Sequence, residues 1–273
     1  MSHSELHLII VSKDRALQLD SLLRSISTFF VPAPNSITIL YNSSNLSFEN
    51  GYTLLKNRQH CSSVTWYRET SFTDDFRCCV DRLPPDSLVQ FMTDDDILFR
   101  PFNREILKDF SHSDLFFSLR VDRVYKRFPL PRFKVCNETI RWRWNPLFSR
   151  RSTSFWTYPF SVDGNIFHTA DIQLMVAGIN FRAPNSLEGA MHKARKQWSF
   201  QRKGWGVTLS SGAVLFNNPL NTVQQEGENW NQSVSVSWLN DLFLAGKEID
   251  NRSLYSAIPD DVHFAVTLQL KGQ

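Results

Sequence analysis

The stretch Ser87-Leu88-Val89-Gln90-Phe91-Met92-Thr93-Asp94-Asp95-Asp96-Ile97-Leu98-Phe99-Arg100 decides the fold. Residues 88–92 form a short apolar run with the length and composition of a buried strand. The run stops at three carboxylates, Asp94, Asp95 and Asp96. In α/β proteins, ligands bind beyond the carboxyl ends of the strands, so a site is expected at this junction. Side chains two apart on an extended segment point the same way, so Asp94 and Asp96 are expected to converge while Asp95 faces elsewhere. Adjacent carboxylates repel, and a hard divalent cation is their natural counter-charge. Phe99 rather than Gly stands at the sixth position from Asp94, which excludes a calcium EF-hand loop. The expected cation site is shallow and shared, with a phosphate-bearing ligand supplying the remaining oxygens.

The chain before this junction alternates strands and helices. Residues 6–11 read as a buried strand, and residues 16–29 carry Leu19, Leu22, Leu23 and Ile26 at helical spacing. The Ser12-Lys13-Asp14-Arg15 turn between them opens a helix whose free N–H groups and positive dipole end suit an anion. Residues 36–41 and 64–67 read as strands, and residues 51–59 and 73–83 as helices. This order argues for a parallel sheet with right-handed crossovers. Neither a GxGxxG nor a GxxxxGK[ST] motif is present, which removes the dinucleotide fingerprint and the P-loop.

After residue 100 the character changes. Residues 115–119 read as a strand, and residues 120–143 are rich in Arg, Lys and aromatics. The Asp163-Gly164-Asn165 turn leads into a helix over 169–178. A second helix opens near Glu188 and runs through Lys196. Residues 212–216 read as a strand, 217–231 as a polar loop, 237–246 as a helix, and 262–268 as a strand or an extended cover. The stretch Arg141-Trp142-Arg143-Trp144 suits an acceptor groove, and Arg charge with aromatic stacking would also suit nucleic acid.

Composition narrows the function classes. A chain of 273 residues can bury a sizeable core in one domain. A formal net charge of +3 is too small to argue for a nucleic-acid partner, and none is expected. Cys61, Cys78, Cys79 and Cys136 form no CxxC pair and show no metal spacing. The opening residues lack the pattern of a signal peptide and no run reaches membrane-spanning length, so a soluble, cytoplasmic protein is expected.

A strand–helix–strand–helix start, an apolar strand ending in three Asp, and an acidic residue about ninety positions later together resemble the GT-A glycosyltransferases, particularly the inverting family 2 type. The resemblance implies an α/β fold: a GT-A-like (Rossmann-like) three-layer sandwich with a mostly parallel central sheet. It implies a single domain with a nucleotide-sugar half over 1–100 and an acceptor half over 101–273. In that family a DxD-type motif holds a divalent metal against the donor diphosphate. Carried over, Asp94, Asp96 and the tail histidine His263 would ligate Mn²⁺ or Mg²⁺. Ser12, Asp14, Arg15, Arg77, Asp94 and Asp95 would contact the nucleotide. Glu188, which opens a helix 24 residues after Gly164, resembles the acidic catalytic base, although Gly189 stands where many relatives have Asp.

The activity this implies is transfer of a sugar from a UDP, GDP or dTDP sugar to a hydroxyl of a glycan or other acceptor, with inversion. A sugar nucleotidyltransferase is the competing enzyme class, yet it would usually begin with a Gly-rich basic loop, which Val11-Ser12-Lys13-Asp14-Arg15 is not. A non-catalytic carbohydrate or nucleic-acid binding module is the remaining alternative.

Overall fold

The structure, a computed structural model, describes residues 5–58, 63–125, 127, 129–144, 155–194, 204–221 and 232–272. Expectations for Gln59, for Cys61, for Lys196 and for residues 222–231 lie outside the described residues.

The chain opens with β1 (Leu6–Lys13), α1 (Ala16–Phe29), β2 (Ser36–Asn42), α2 (Leu46–Lys56), β3 (Val64–Arg68), α3 (Phe72–Asp81) and β4 (Leu88–Thr93). Then come β5 (Asp96–Leu98), β6 (Asp114–Ser118), β7 (Phe133–Cys136), β8 (Thr139–Arg143) and β9 (Asn165–His168). Next are α4 (Thr169–Ala177), α5 (Pro184–Ala194), β10 (Trp205–Leu209), β11 (Leu215–Asn217) and α6 (Val236–Leu244).

Among the described residues, nine strands form the main sheet, in the order β3-β2-β1-β4-β9-β6-β10-β8-β7. β3, β2, β1 and β4 are mutually parallel. β9 runs antiparallel to both β4 and β6, and β8 antiparallel to both β10 and β7. All the other strands of the sheet run one way, so it is mostly parallel, with β9 and β8 reversed. β9 is only four residues long and ends at the start of α4, which leaves its direction unmarked in the sequence.

Helices cover both faces, and strand alternation explains why. Leu6, Leu8 and Ile10 of β1 pack in one core with Leu19 and Leu23 of α1, Tyr52 of α2 and Phe243 of α6. Ile9, Val89 and Phe91 point the other way, into a second core with Phe76 of α3, Met175 of α4 and Met191 of α5. Each such fully buried Leu or Phe contributes about 1.5–3 kcal/mol. The three-layer α/β sandwich expected from the sequence is the architecture found.

Three local differences have physical causes. α2 begins at Leu46 because Asn45 caps it, its side chain accepting the Phe48 N–H at 3.1 Å. The basic aromatic stretch folds as the β7–β8 hairpin, with Trp142 and Trp144 buried and Arg143 exposed. The tryptophans therefore fill the core rather than line a groove. β10 is a strand that sequence periodicity does not mark: its Gly206 leaves room for the Trp142 ring, which a Cβ there would meet at 2.4 Å. Among the described residues, no helix is long and apolar enough to cross a membrane.

Candidate active site

The site gathers at the carboxyl ends of β1 and β4. After Lys13 the chain turns sharply at Asp14, whose φ is +59°, a left-handed conformation that Asp tolerates. The Asp14 carboxylate accepts the Ser44 N–H at 2.7 Å, tying the loop after β1 to the loop after β2. Ser12 Oγ lies 2.6 Å from the Tyr52 hydroxyl, which also accepts the Arg15 N–H at 3.2 Å. Arg15 then leads into α1, and its own side chain is buried.

The guanidinium of Arg15 faces the acidic junction. Its NH1 donates to Asp94 Oδ1 at 2.9 Å and to Asp95 Oδ2 at 3.2 Å. Nε donates to Asn221 Oδ1 at 2.8 Å, and NH2 donates to the Asn221 carbonyl. Asp94 and Asp95 form a turn between β4 and β5 rather than a continued strand. The strand alternation expected for Asp94 and Asp96 therefore does not apply. Asp94 turns to Arg15 and the Lys13 N–H (3.2 Å), while Asp96 turns back to accept the Thr93 N–H at 3.0 Å. Burial pushes Asp94 up to about 6, against the pull of Arg15. Asp96 lies well above the usual carboxylate range through burial and the repulsion of Asp163 and Asp95.

Asn217, at the end of β11, stitches the turn to the C-terminal segment. Its Nδ2 lies 2.8 Å from Asp95 Oδ1 and 3.3 Å from Asp96 Oδ1. Its Oδ1 lies 3.2 Å from His263 Nδ1, and the backbones of Asn217 and His263 are bridged. The His263 ring is exposed on one side, while the protein behind it disfavours its charged form.

A second acidic group sits beside the first. Asp163, in the turn before β9, accepts from Arg120 at 2.9 Å and from the Thr93 hydroxyl at 3.2 Å. Gly164 makes this turn possible with a φ of +70°. Glu188, in the first turns of α5, accepts from Ser161 Oγ at 2.8 Å and the Val162 N–H at 2.7 Å through Oε1. Its Oε2 accepts from the Tyr158 hydroxyl at 3.2 Å. Protein packed around Glu188, and the nearby Asp163 charge, raise its pKa to about 7, although part of its surface stays open.

Sequence-expected residues therefore divide. Ser12, Asp14, Arg15, Asp94, Asp95, Asp96 and His263 are joined through Tyr52, Asn217 and the backbone. Glu188 connects to them through Ser161, Asp163 and Thr93. Arg77 is not brought to this cluster. Its guanidinium caps the end of α4, donating to the Val176 and Ile179 carbonyls at 3.0 and 2.8 Å, where it holds α3 against α4. Asp163 belongs here as the acidic residue of the expected Asp163-Gly164-Asn165 turn, while Arg120, Asn217, Asn221 and Tyr158 are members that sequence reasoning missed.

The charge balance bears on a cation. Asp94, Asp95, Asp96, Asp163 and Glu188 share two guanidiniums, Arg15 and Arg120, and three of these carboxyls are pushed toward their protonated forms. Such a donor set fits a hard divalent ion. Arg15 pairs more closely with Asp94 (2.9 Å) than with Asp95 (3.2 Å), which leaves the mostly buried Asp95 and the buried Asp96 as the carboxylates for it. Among the described residues, no three His, Cys, Asp or Glu side chains are grouped so as to hold a metal by themselves.

Neither a protein-family model nor a curated protein matches the chain. Solved structures do. S. aureus TarS 1–349 in complex with UDP-GlcNAc is similar over 82% of this chain and 60% of that one, at 16% identity and a TM-score of 0.47. Glucosyl-3-phosphoglycerate synthase from Mycobacterium tuberculosis, in complex with Mn²⁺, UDP and glucosyl-3-phosphoglycerate, is similar over 94% of this chain and 81% of that one. Its identity is 11% and its TM-score 0.46. The galactosyltransferase LgtC, in complex with donor and acceptor sugar analogues, is similar at 8% identity and a TM-score of 0.41, over 72% of this chain and 64% of that one.

Proposed function

We propose that this chain is a metal-dependent glycosyltransferase of the GT-A type, which moves a sugar from a nucleotide diphosphate sugar to an acceptor hydroxyl with inversion. The observation that carries this reading is Glu188. It is a partly open carboxyl with a pKa of about 7, linked through Ser161, Asp163 and Thr93 to an acidic turn at a strand's carboxyl end. A base poised near the working pH combines the ionised form with a useful driving force for proton transfer.

The nucleotide half, residues 1–100, brings Ser12, Asp14 and the first turn of α1 to the donor. The acceptor half, 101–273, brings Glu188, Asp163 and Arg120. Asp95 and Asp96 would hold Mn²⁺ or Mg²⁺, with the donor's diphosphate oxygens and His263 completing the shell. The ion would supply charge stabilisation for the departing nucleoside diphosphate. Arg15 keeps Asp94 ionised and fixes the turn in place. Glu188 takes the proton from the acceptor hydroxyl as that oxygen attacks the anomeric carbon on the face opposite the leaving group. Such proton transfer contributes roughly 10²–10⁴ in rate.

Thermal-shift binding of UDP, GDP, dTDP and CMP, with and without Mn²⁺, tests the reading on wild type and Asp95→Asn. A Mn²⁺-dependent rise with one nucleotide diphosphate, lost in the variant, is the expected result. No shift with any nucleotide would remove the transferase reading.

A further inference from the structure

Among the described residues, three donors reach Glu188, unevenly shared between its two oxygens. An ionised carboxylate offers about four lone-pair positions. Oε1 uses two of them, on the Ser161 hydroxyl at 2.8 Å and the Val162 N–H at 2.7 Å. Oε2 uses one, on the Tyr158 hydroxyl at 3.2 Å. Among the described residues one position therefore remains, and it belongs to Oε2.

From this geometry we propose that Tyr158 is the positioning residue of the Glu188 base, aiming the single open lone pair of Oε2 at the acceptor hydroxyl. The proposal deepens the transferase reading and rests on Glu188 being its base. Tyr158 is itself anchored. Its ring stacks on His192, with centroids 5.1 Å apart and planes at 29°. His192 lies four residues after Glu188 on α5, so the base and the partner of its holder share one helix face. The phenol stays protonated, because burial and the Glu188 charge both raise its pKa far above neutrality. It therefore donates to Oε2 and does not compete for the proton. Asp163 and Arg120 are the other charges that act on Glu188, the first favouring its protonated form and the second its ionised form.

In the step this sets up, the acceptor oxygen forms its bond to the anomeric carbon while its proton passes to Oε2. The bond from that carbon to the diphosphate oxygen breaks, and its electron pair leaves with the nucleoside diphosphate.

Tyr158→Phe tests the role, since the phenyl ring keeps its place against His192. Loss of a hydrogen bond to a charged group is expected to lower kcat about ten- to hundredfold. The KM for the donor is expected to stay unchanged. Without that donor the ionised form of Glu188 is less favoured, so the acidic limb of the pH–rate profile moves up. The ¹³C titration midpoint of the Glu188 carboxyl rises with it, by about one unit. An unchanged midpoint together with an unchanged kcat overturns the proposal. The titration needs no turnover, so it reports on Tyr158 even if wild type transfers no sugar, an outcome that would instead remove the transferase reading. Should Tyr158→Phe not fold, 3-fluorotyrosine at position 158 makes a stronger donor and is expected to lower the midpoint. A midpoint that stays put with fluorotyrosine would equally overturn it.

Discussion

Arg15 and Asp94 lie 79 positions apart in the chain and form an ion pair at 2.9 Å, both buried. One guanidinium thereby joins the loop after β1 to the turn after β4, and it reaches Asp95 as well. Removing one partner of a buried pair leaves an uncompensated charge, which costs about 3–5 kcal/mol. Arg15→Met is expected to lose stability on that scale in urea unfolding. Arg15→Lys is expected to recover only part of it, because an ammonium cannot span Asp94, Asp95 and Asn221 together. Equal stability of Arg15→Met and wild type would show that the pair is not holding the turn.

Glu188 makes a pH-dependent contribution whose sign can be worked out. Its folded pKa of about 7 lies above the unfolded value near 4.5, so the native state binds its proton more tightly. Stability from this group is full below pH 4.5 and is lost as pH rises toward 7. Glu188→Gln removes the titration and is expected to gain about 1–3 kcal/mol over wild type between pH 5 and pH 8, while losing transfer activity. Urea midpoints of both proteins across that range decide the matter. A constant difference between them would mean that Glu188 titrates normally in the folded protein.

The alternation of strands and helices up to residue 93 was legible, because each element carries its own periodicity or cap. The helix over Ala16–Phe29 follows from Leu19, Leu22, Leu23 and Ile26, and the acidic junction follows from a run of apolar residues ending in charge. What closes the site was not legible. Arg120 meets Asp163 across 43 residues and Asn217 meets Asp96 across 121, and no local pattern marks such pairs. Asp94 and Asp96 were expected to converge on the assumption of an extended chain, and a turn there sends them to different partners. The alternating Arg141-Trp142-Arg143-Trp144 did carry a signal, since period two with bulky residues on one side marks a half-buried strand.

Arg77 separates packing from nucleotide contact. Its guanidinium bonds the Val176 and Ile179 carbonyls and lies over the Phe181 ring, at 5.5 Å from the centroid. Arg77→Ala is expected to lower stability by about 1–3 kcal/mol, because the carbonyls at the end of α4 lose their donors. Nucleotide-dependent thermal shifts in the variant should match those of wild type in size. A variant with unchanged melting temperature and abolished nucleotide response would return Arg77 to the donor site.

Gly164 couples backbone conformation to the acidic pair. At a φ of +70° any side chain is strained, and a Cβ there would come within 2.8 Å of Leu215 Cδ2. The same residue donates its N–H to the Phe91 carbonyl at 2.8 Å, which sets where the Asp163 turn sits against β4. Gly164→Ala is expected to cost about 1–3 kcal/mol through backbone strain and crowding. Gly206→Ala, where a Cβ would overlap Trp142 and Phe116, should destabilise on a similar scale without touching Asp163. The comparison isolates the site. If Asp163 must be held between Arg120 and Thr93, the Gly164 variant loses far more turnover than the Gly206 variant at matched stability. Equal losses would mean that the position of the turn does not matter for the chemistry.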